Sequence, residues 1–299
     1  MVGMSADPAP LLVVDTPSLL YRAYFALPSS IKGKDGRPVN GLLGCANLIL
    51  QVVEQYSPRA IVCCNGAEAG HYRTAAYAGY HGDRDEMPEK MVWQWEQAPA
   101  FFARFGWAHR TTDDLEADDL LGAFAALESA AGGRTLLFTG DRDMYQCVTD
   151  EVQVLFPGGG KVGPALVDVA GVRERYGIEP AQVPDFIALR GDPSDGLPGA
   201  KGIGAKGAAA LLTEHGDLET LIGLAERDEA TDSASLKPRV RTTLREQADE
   251  LRTFRHIATL QPVDVERPAD APTRWADAAA AASEFGMERL ATRLAAWPT

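Results

Sequence analysis

Short apolar runs alternate with longer stretches that carry apolar residues at three- and four-residue spacing through the first half of the chain. Each short run has the length of a buried strand, and the longer stretches have the periodicity of helices. The runs are residues 11–14, 60–64 and 135–138, and the helical stretches lie near 40–56, 88–105 and 116–130. This alternation predicts an α/β core with a mostly parallel central sheet and helices on both faces.

A polar residue follows each apolar run. Asp15 and Asn65 come directly after the first two runs, and Thr139-Gly140-Asp141 follows the third. The carboxyl ends of parallel strands meet at one edge of a sheet, and ligands bind in the crevice beyond that edge. We therefore expect Asp15, Asn65 and Asp141 to share one site.

The second half of the chain has a different pattern. From about Leu166 onward the strand signals fade, which predicts a mainly helical region. The glycine-rich segment 196–212 indicates a helix, a tight hairpin and another helix, and the acidic segment 224–235 indicates a loop. Glycines in such a hairpin would let the backbone approach a phosphate, and Lys201 and Lys206 would add attraction. An ordinary glycine turn between helices is the alternative.

Acidic residues concentrate in three further places. These are Glu116, Asp118 and Asp119 at the start of a helical stretch, Asp141 and Asp143 after the third strand, and Asp192 and Asp195 before the glycine-rich segment. Taken singly, such residues complement a helix dipole or form a turn. Gathered with Asp15 at one sheet edge, they would need counter-charge, because close carboxylates raise one another's pKa values. Hard oxygen ligands predict two or more Mg²⁺ or Mn²⁺ ions, which can activate water at a phosphodiester.

The composition changes this picture only in part. The formal charge of −13, from 42 acidic and 29 basic residues, argues against a nucleic-acid partner, but cations bound to a carboxylate cluster reverse the local field. The four cysteines form no C-x-x-C pair, which argues against structural disulfides and zinc. Because the sequence has no secretory signal pattern and no apolar run approaching ~18 residues, we expect a soluble, cytoplasmic protein with no membrane partner.

The motifs resemble, in content and order, those of the 5′-nuclease family that includes flap endonucleases and the amino-terminal nuclease domain of bacterial DNA polymerase I. The matching strings are Val14-Asp15, Leu20-Tyr21-Arg22-Ala23-Tyr24-Phe25, Glu116-Ala117-Asp118-Asp119, Thr139-Gly140-Asp141-Arg142-Asp143-Met144, and Gly191-Asp192-Pro193-Ser194-Asp195-Gly196-Leu197-Pro198-Gly199. The resemblance implies a free-standing enzyme with an α/β nuclease core over 1–190, including a helical arch at about 70–105. A helical DNA-binding region would follow over 191–299, with a helix-hairpin-helix at about 192–213.

The resemblance also implies a set of site residues. One metal ion would draw on Glu116, Asp118 and the position of Asn65, and a second on Asp141, Asp143 and Asp195, with Asp15, Asp119 and Asp192 nearby. Asp15, Arg73 and Arg22 would serve catalysis, and backbone carbonyls around 199–204 would bind K⁺. The implied DNA-binding residues are Tyr77, Tyr80, His81 and Arg84 in the arch, and Lys201, Gly202, Gly204 and Lys206 in the hairpin.

The expected activity is metal-dependent hydrolysis of branched, flapped or 5′-ended DNA by a monomer that acts as a flap endonuclease and a 5′-3′ exonuclease. Two departures from the family pattern bear on this activity: Asn65 stands where the family has an aspartate, and His81 stands where it has a lysine. The interval from Asn65 to Arg73 is also one residue longer than usual. A DNA-junction binding protein with weak or lost catalysis and a metal-dependent ribonuclease therefore remain as alternatives, although the glycine hairpin argues against the ribonuclease.

Overall fold

The computed structural model describes residues 8–82, 86–158, 163–227 and 233–298. Within these ranges one sheet has six strands: β1 (Leu11–Asp15), β2 (Ala60–Asn65), β3 (Ala108–Thr111), β4 (Thr135–Phe138), β5 (Val152–Phe156) and β6 (Ala165–Val167). Their order across the sheet is β3-β2-β1-β4-β5-β6, and every pair is parallel except the antiparallel pair of β5 and β6. The central position of β1 places Asp15 between the ends of β2 and β4.

Helices account for most of the remaining described chain. In the first half they are α1 (Thr16–Ala26), α2 (Asn40–Tyr56), α3 (His71–Ala76), α4 (Glu89–Ala103) and α5 (Ala117–Ala130). In the second half they are α6 (Val169–Tyr176), α7 (Val183–Arg190), α8 (Ala205–His215), α9 (Leu218–Glu226), α10 (Pro238–Glu246), α11 (Ala248–Ala258), α12 (Trp275–Glu284) and α13 (Glu288–Ala295). None of the helices in the described ranges is both long enough and apolar enough to cross a bilayer.

Two apolar cores lie on opposite faces of the sheet. Side chains alternate across a strand, so Leu11 and Val13 enter one core while Leu12 and Val14 enter the other. The first core holds residues of α5 to α11, and the second holds residues of α1, α2, α4, α12 and α13. The expectation of a mostly parallel sheet covered on both faces is confirmed.

The helical second half returns to the nuclease core. The ring of Phe254 in α11 packs edge-on against Tyr77 just after α3, with ring centroids 5.3 Å apart. The extended chain between α11 and α12 is held against α5 by Arg267. Its Nε lies 2.8 Å from Oε2 of the buried Glu128. Because these contacts join residues more than a hundred positions apart, the second half forms part of the scaffold of the site.

Several boundaries differ from the sequence-based expectations. The segment 196–204 contains no helix: the helix before the hairpin is α7, which ends at Arg190, and only α8 follows as expected. Residues 224–226 belong to α9 rather than to a loop. In the region expected to form the arch, α3 and α4 are present, and α4 buries Phe101 and Phe102 in the second core. Arg84 lies outside the described residues.

Candidate active site

Asp15 links the carboxyl end of β1 to the neighbouring strand β4. It is 4% exposed and caps α1 by accepting a hydrogen bond from the Ser18 backbone N–H at 3.0 Å. Its other carboxylate oxygen accepts from the Thr139 hydroxyl at 2.6 Å. Thr139 belongs to a matched string but was given no role from the sequence, and with Ser18 it fixes the direction of this carboxylate.

Glu116 lies at the start of α5, where its side chain caps the helix. The carboxylate accepts hydrogen bonds from the Gly70 N–H at 2.6 Å and from the Tyr80 hydroxyl at 3.1 Å. These two donors come from the segment that follows β2, so α3 and its flanking turns orient Glu116. The same helix start presents Asp118 to the cleft.

Asp141 and Asp143 follow β4 in a turn held by the Asp141 carboxylate and the Thr139 hydroxyl. The Asp143 N–H donates to Asp141 Oδ1 at 2.8 Å, and the Asp141 N–H donates to the Thr139 hydroxyl at 2.9 Å. A 3-10 helix over Asp143–Cys147 then carries the chain away from the sheet. Thr139 thereby orients residues at the ends of two adjacent strands.

The loop after α7 supplies the remaining carboxylates. Asp192 accepts from Arg190 Nη2 at 3.0 Å and from the Ser194 N–H at 2.9 Å. The turn depends on glycine, because Gly199 has φ +70° and a Cβ there would lie 2.3 Å from the Gly191 backbone nitrogen. This close backbone approach folds the loop so that Asp192 and Asp195 line the cleft.

Seven of the expected carboxylates line one cleft beyond the carboxyl ends of the strands: Asp15, Glu116, Asp118, Asp141, Asp143, Asp192 and Asp195. Glu68 and Glu86, which the sequence did not single out, line the same cleft. Burial and neighbouring carboxylates raise the pKa of Asp118 and of Asp143 well above the usual aspartate range. Burial, with Asp195 and Asp15 among the neighbouring charges, also raises the pKa of Asp141 to about 7. A set of oxygen donors under mutual repulsion fits hard divalent cations.

No three His, Cys, Asp or Glu side chains in the described ranges already stand close enough to enclose one ion. The carboxylates therefore converge on the cleft without forming a finished coordination shell, and an ion would have to draw several of them together.

Asn65 ends β2 as expected, but it is not among the residues that line the cleft. It is 6% exposed, and its side-chain oxygen has no hydrogen-bond partner within the described chain. The next residue packs tightly on the start of α5, since a Cβ at Gly66 would lie 2.5 Å from the Ala117 backbone nitrogen. An orphaned buried acceptor beside the helix that carries Glu116 fits a cation or a bound water.

Arg73 and Asp119 are buried in the wall of the cleft and pair with each other. Arg73 is 4% exposed and contacts Glu116 at 3.3 Å and Asp119 at 3.0 Å. Asp119 is fully buried, and its two oxygens also accept from the N–H groups of Glu116 and Gln261. Four hydrogen bonds occupy its lone pairs, so Asp119 supports the cleft from behind, and its place near the metal ions stays a prediction.

The expected arch residues that the structure describes contact other parts of the protein. Tyr77 packs on Phe254, and Tyr80 is 5% exposed with its hydroxyl bonded to Glu116. The side chain of His81 is 7% exposed, and its Nε2 lies 3.1 Å from Asp195 Oδ1. Each of these three side chains thus has a protein partner, and the expectation that Tyr77, Tyr80 and His81 contact DNA stays a prediction.

The hairpin residues are exposed, as a DNA-binding role requires. Lys201, Gly202, Gly204 and Lys206 all lie on the surface, and a Cβ added at Gly204 would meet no atom within 4 Å. Arg22 is also exposed, but it lies outside the cleft lining and donates to the Gly158 carbonyl at 3.1 Å. Open space at Gly204 leaves room for a phosphate backbone to approach.

Comparison with known proteins identifies the family. The model described as "5'-3' exonuclease, N-terminal resolvase-like domain" matches residues 10–177, and the one described as "5'-3' exonuclease, C-terminal SAM fold" matches residues 178–278. The chain belongs to the 5′-3′ exonuclease family. It is therefore a metal-dependent nuclease that hydrolyses DNA phosphodiester bonds.

Individual relatives agree with the family assignment. A 5′-3′ exonuclease of Streptomyces coelicolor is 40% identical over 221 residues, covering 69% of this chain and 72% of that protein. A 5′-3′ exonuclease of Mycobacterium tuberculosis is 33% identical and covers 96% of both chains. A DNA polymerase I of Chloroflexus aurantiacus is 38% identical over 84% of this chain, but over only 26% of the polymerase.

Solved structures share the fold. The T5 D15 protein co-crystallised with metal ions gives a TM-score of 0.67 at 17% identity, covering 96% of this chain and 98% of that chain. The catalytic core of Rad2 in complex with a DNA substrate gives 0.62 at 14% identity, with 95% and 92% coverage. At these identities the likeness concerns architecture alone.

Proposed function

We propose that this nuclease cuts DNA near a 5′ end or at a junction between single-stranded and duplex DNA, with both flap endonuclease and 5′-3′ exonuclease activity. The observation that carries the proposal is that one fold joins a cleft lined by carboxylates to an exposed glycine hairpin. The cleft supplies the chemistry, while the hairpin supplies a separate contact to duplex. A DNA that has a duplex part for the hairpin and a free strand for the cleft can make both contacts at once, which favours a junction as the substrate over a single strand.

The cleft carboxylates would hold two or more Mg²⁺ or Mn²⁺ ions. Glu116 and Asp118 present one group of oxygens from α5, while Asp141 and Asp143 present another from the end of β4. Such ions lower the pKa of bound water and stabilise the leaving oxygen of a phosphodiester. The direction of each carboxylate comes from the chain itself: Thr139 and Ser18 hold Asp15, while Tyr80 and Gly70 hold Glu116.

The hairpin would hold duplex DNA through backbone and lysine contacts. Helix α8 begins after Gly204 without a side-chain cap, so its first N–H groups are available to an anion. Lys201 and Lys206 flank this helix start and make no ion pair among the described residues. K⁺ bound to carbonyls around residues 199–204 would add positive charge at the same place. We further propose that the enzyme acts as a cytoplasmic monomer.

A cleavage assay on labelled flapped, nicked and single-stranded DNA with Mg²⁺ or Mn²⁺ tests the proposal. We expect 5′-end-dependent cuts, with flapped DNA cut faster than single strands. Asp141→Asn and Asp143→Asn should abolish cleavage while folding and DNA binding persist. Asp113→Asn is the matched control, since this exposed acid precedes α5 outside the cleft lining. Equal rates on all three DNAs would overturn the junction preference.

A further inference from the structure

Helix α10 braces the glycine hairpin through both backbone polar groups of Lys201. The Thr243 hydroxyl donates to the Lys201 carbonyl at 3.3 Å, and the Gln247 side-chain oxygen accepts from the Lys201 N–H at 2.8 Å. Thr243 lies in α10 and Gln247 directly follows it. The hairpin is therefore held in a fixed relation to a helix that begins more than thirty residues later.

Arg239 lies on the side of α10 that faces the hairpin. It precedes Thr243 by one helical turn, and residues four apart share a helix face. A Cβ built at Gly202 would lie 3.9 Å from Arg239 Nη2, which locates the guanidinium beside the turn. Gly202 has φ +80°, a conformation that favours glycine. Because glycine has no side chain, the space beside Arg239 stays open.

The cations at this surface differ from others in the same region by having no acidic partner. Lys201, Lys206 and Arg239 are exposed, and none of them forms an ion pair within the described ranges. By contrast, Arg252 pairs with Glu219 at 2.9 Å and Arg255 pairs with Asp185 at 2.6 Å. In a chain with 42 acidic and 29 basic residues, a cluster of cations without acidic partners is suited to an anion from outside.

We propose that Arg239 is a third phosphate contact, and that Lys201, Lys206 and Arg239 form one surface for the sugar–phosphate backbone of duplex DNA. This inference rests on the proposed function of the hairpin and extends it to α10. Guanidinium suits this position because its planar fork can donate two parallel hydrogen bonds to one phosphate. Contacts from two braced elements would fix the position of the duplex along its axis, which a flexible lysine alone does not do.

The salt dependence of DNA binding tests the proposal. Kd would be measured by fluorescence anisotropy for a flapped duplex, with Ca²⁺ replacing Mg²⁺ and with salt varied from 50 to 200 mM. Removing one phosphate contact should reduce the slope of log affinity against log salt by about 0.9, so the Kd of the wild type should rise about 3.5-fold more than that of Arg239→Ala over this range. Arg239→Lys should keep most of the slope.

Two variants provide matched controls. Arg245→Ala removes an exposed cation of α10 that is not on the Arg239–Thr243 face, and Arg252→Ala removes one that is paired with Glu219. Both should keep the wild-type slope, and all variants should keep the wild-type Tm. On a single-stranded oligonucleotide Arg239→Ala should bind like the wild type, because the surface contacts duplex.

An unchanged slope in Arg239→Ala would overturn the proposal, as would an equal loss of slope in Arg245→Ala, which would indicate a general charge effect. A loss of affinity for single strands alone would contradict the assignment to duplex. Failure of the proposed function is distinguishable, because the wild-type protein would then show no preference for flapped DNA in the cleavage assay.

Discussion

Arg73 and Asp119 form a two-point ion pair beneath the carboxylate cleft, with Nη1–Oδ2 at 3.0 Å and Nη2–Oδ1 at 3.1 Å. The Arg73 Nε also donates to the Ile257 carbonyl of α11 at 3.0 Å. One side chain thus joins the segment after β2, the start of α5 and the helical second half. We infer that Arg73 positions Glu116, which it contacts at 3.3 Å, and holds the two halves of the chain together.

Breaking this pair should destabilise the protein as well as reduce cleavage. Arg73→Ala would leave the buried Asp119 without its counter-charge, which typically costs about 3–5 kcal/mol. Arg73→Lys keeps the charge but loses the paired geometry, so we expect an intermediate loss. Urea unfolding without metal measures the stability of the two variants, and the cleavage assay measures their activity. Arg173→Ala, which removes a solvent-exposed pair with Glu179, should leave stability close to that of the wild type. Full stability of Arg73→Ala with lost cleavage would indicate a direct substrate contact instead.

The metal-free protein should lose stability as the pH rises. Burial raises the pKa of Asp141 to about 7, above the usual aspartate value of 3.8. Between these two values the native state holds a proton that the unfolded chain has released, so stability falls with increasing pH across this window. We therefore expect Tm in chelator to decrease from pH 5 to pH 8.

Metal ions and one substitution should reduce this pH dependence of Tm. Mn²⁺ should restore Tm more at pH 8 than at pH 5, since ions compete with protons for the carboxylates. Asp141→Asn should flatten the slope in chelator and raise Tm at pH 8, whereas Asp113→Asn should follow the wild type. A Tm in chelator that rises across this pH range would show that Asp141 is not the group responsible.

His81 should act through Asp195 rather than through phosphate. Its Nε2 lies 3.1 Å from Asp195 Oδ1 and its Nδ1 lies 3.1 Å from the Glu68 carbonyl, so the ring bridges two sides of the cleft. Loss of a side chain that orients a metal ligand typically lowers metal affinity or activity by roughly 10–100-fold. We expect His81→Ala to raise the metal concentration for half-maximal cleavage by about tenfold.

The control for His81 is His71→Ala, which removes an exposed histidine of α3. It should leave the metal dependence unchanged. A wild-type metal requirement in His81→Ala, combined with weaker DNA binding, would restore the interpretation of His81 as a phosphate contact in the arch.

The sequence predicted the elements that carry chemistry but not the contacts between them. Asp15 and Asn65 end their strands as expected, because an apolar run bounded by a polar residue is a local signal. The partners of Arg73 could not be predicted, since Asp119 lies 46 positions away and Ile257 lies 184 positions away. Thr139 was missed for the same reason: its role depends on β4 lying beside β1.

The edge strands and the region of the arch show a second limit of prediction from the sequence. The short strands β3 and β6 are partly exposed and lack the continuous apolar run that marked β1. His81 was assigned to DNA by its place in a motif, whereas its backbone takes a left-handed conformation, with φ 53°, that turns it toward Asp195. Rare backbone conformations outside glycine leave little trace in sequence.

Asn65 provides the final test, because its buried oxygen has no partner in the described chain. A buried acceptor without a partner typically costs about 1–3 kcal/mol of stability. A cation bound by this oxygen, or a water that donates a hydrogen bond to it, would therefore be stabilising. If the ligand is a cation, Asn65→Asp should lower the metal concentration for half-maximal cleavage, and Asn65→Ala should raise it. Mn²⁺ should be the better activator of the wild type, since it binds such ligands more tightly than Mg²⁺.

Stability separates a metal role at Asn65 from a purely structural one. In chelator Asn65→Asp should be less stable than the wild type, because it adds a buried carboxylate beside others, and Mn²⁺ should reverse the loss. Asn40→Ala is the contrast: Asn40 donates to the Tyr24 and Leu27 carbonyls at 2.8 and 2.9 Å, so its loss should lower Tm without changing the metal requirement. The same metal dependence with Asn, Asp or Ala at position 65 would assign the orphaned oxygen to a structural water. The carboxylates that line the cleft would then hold the ions without Asn65, in keeping with its place outside that lining.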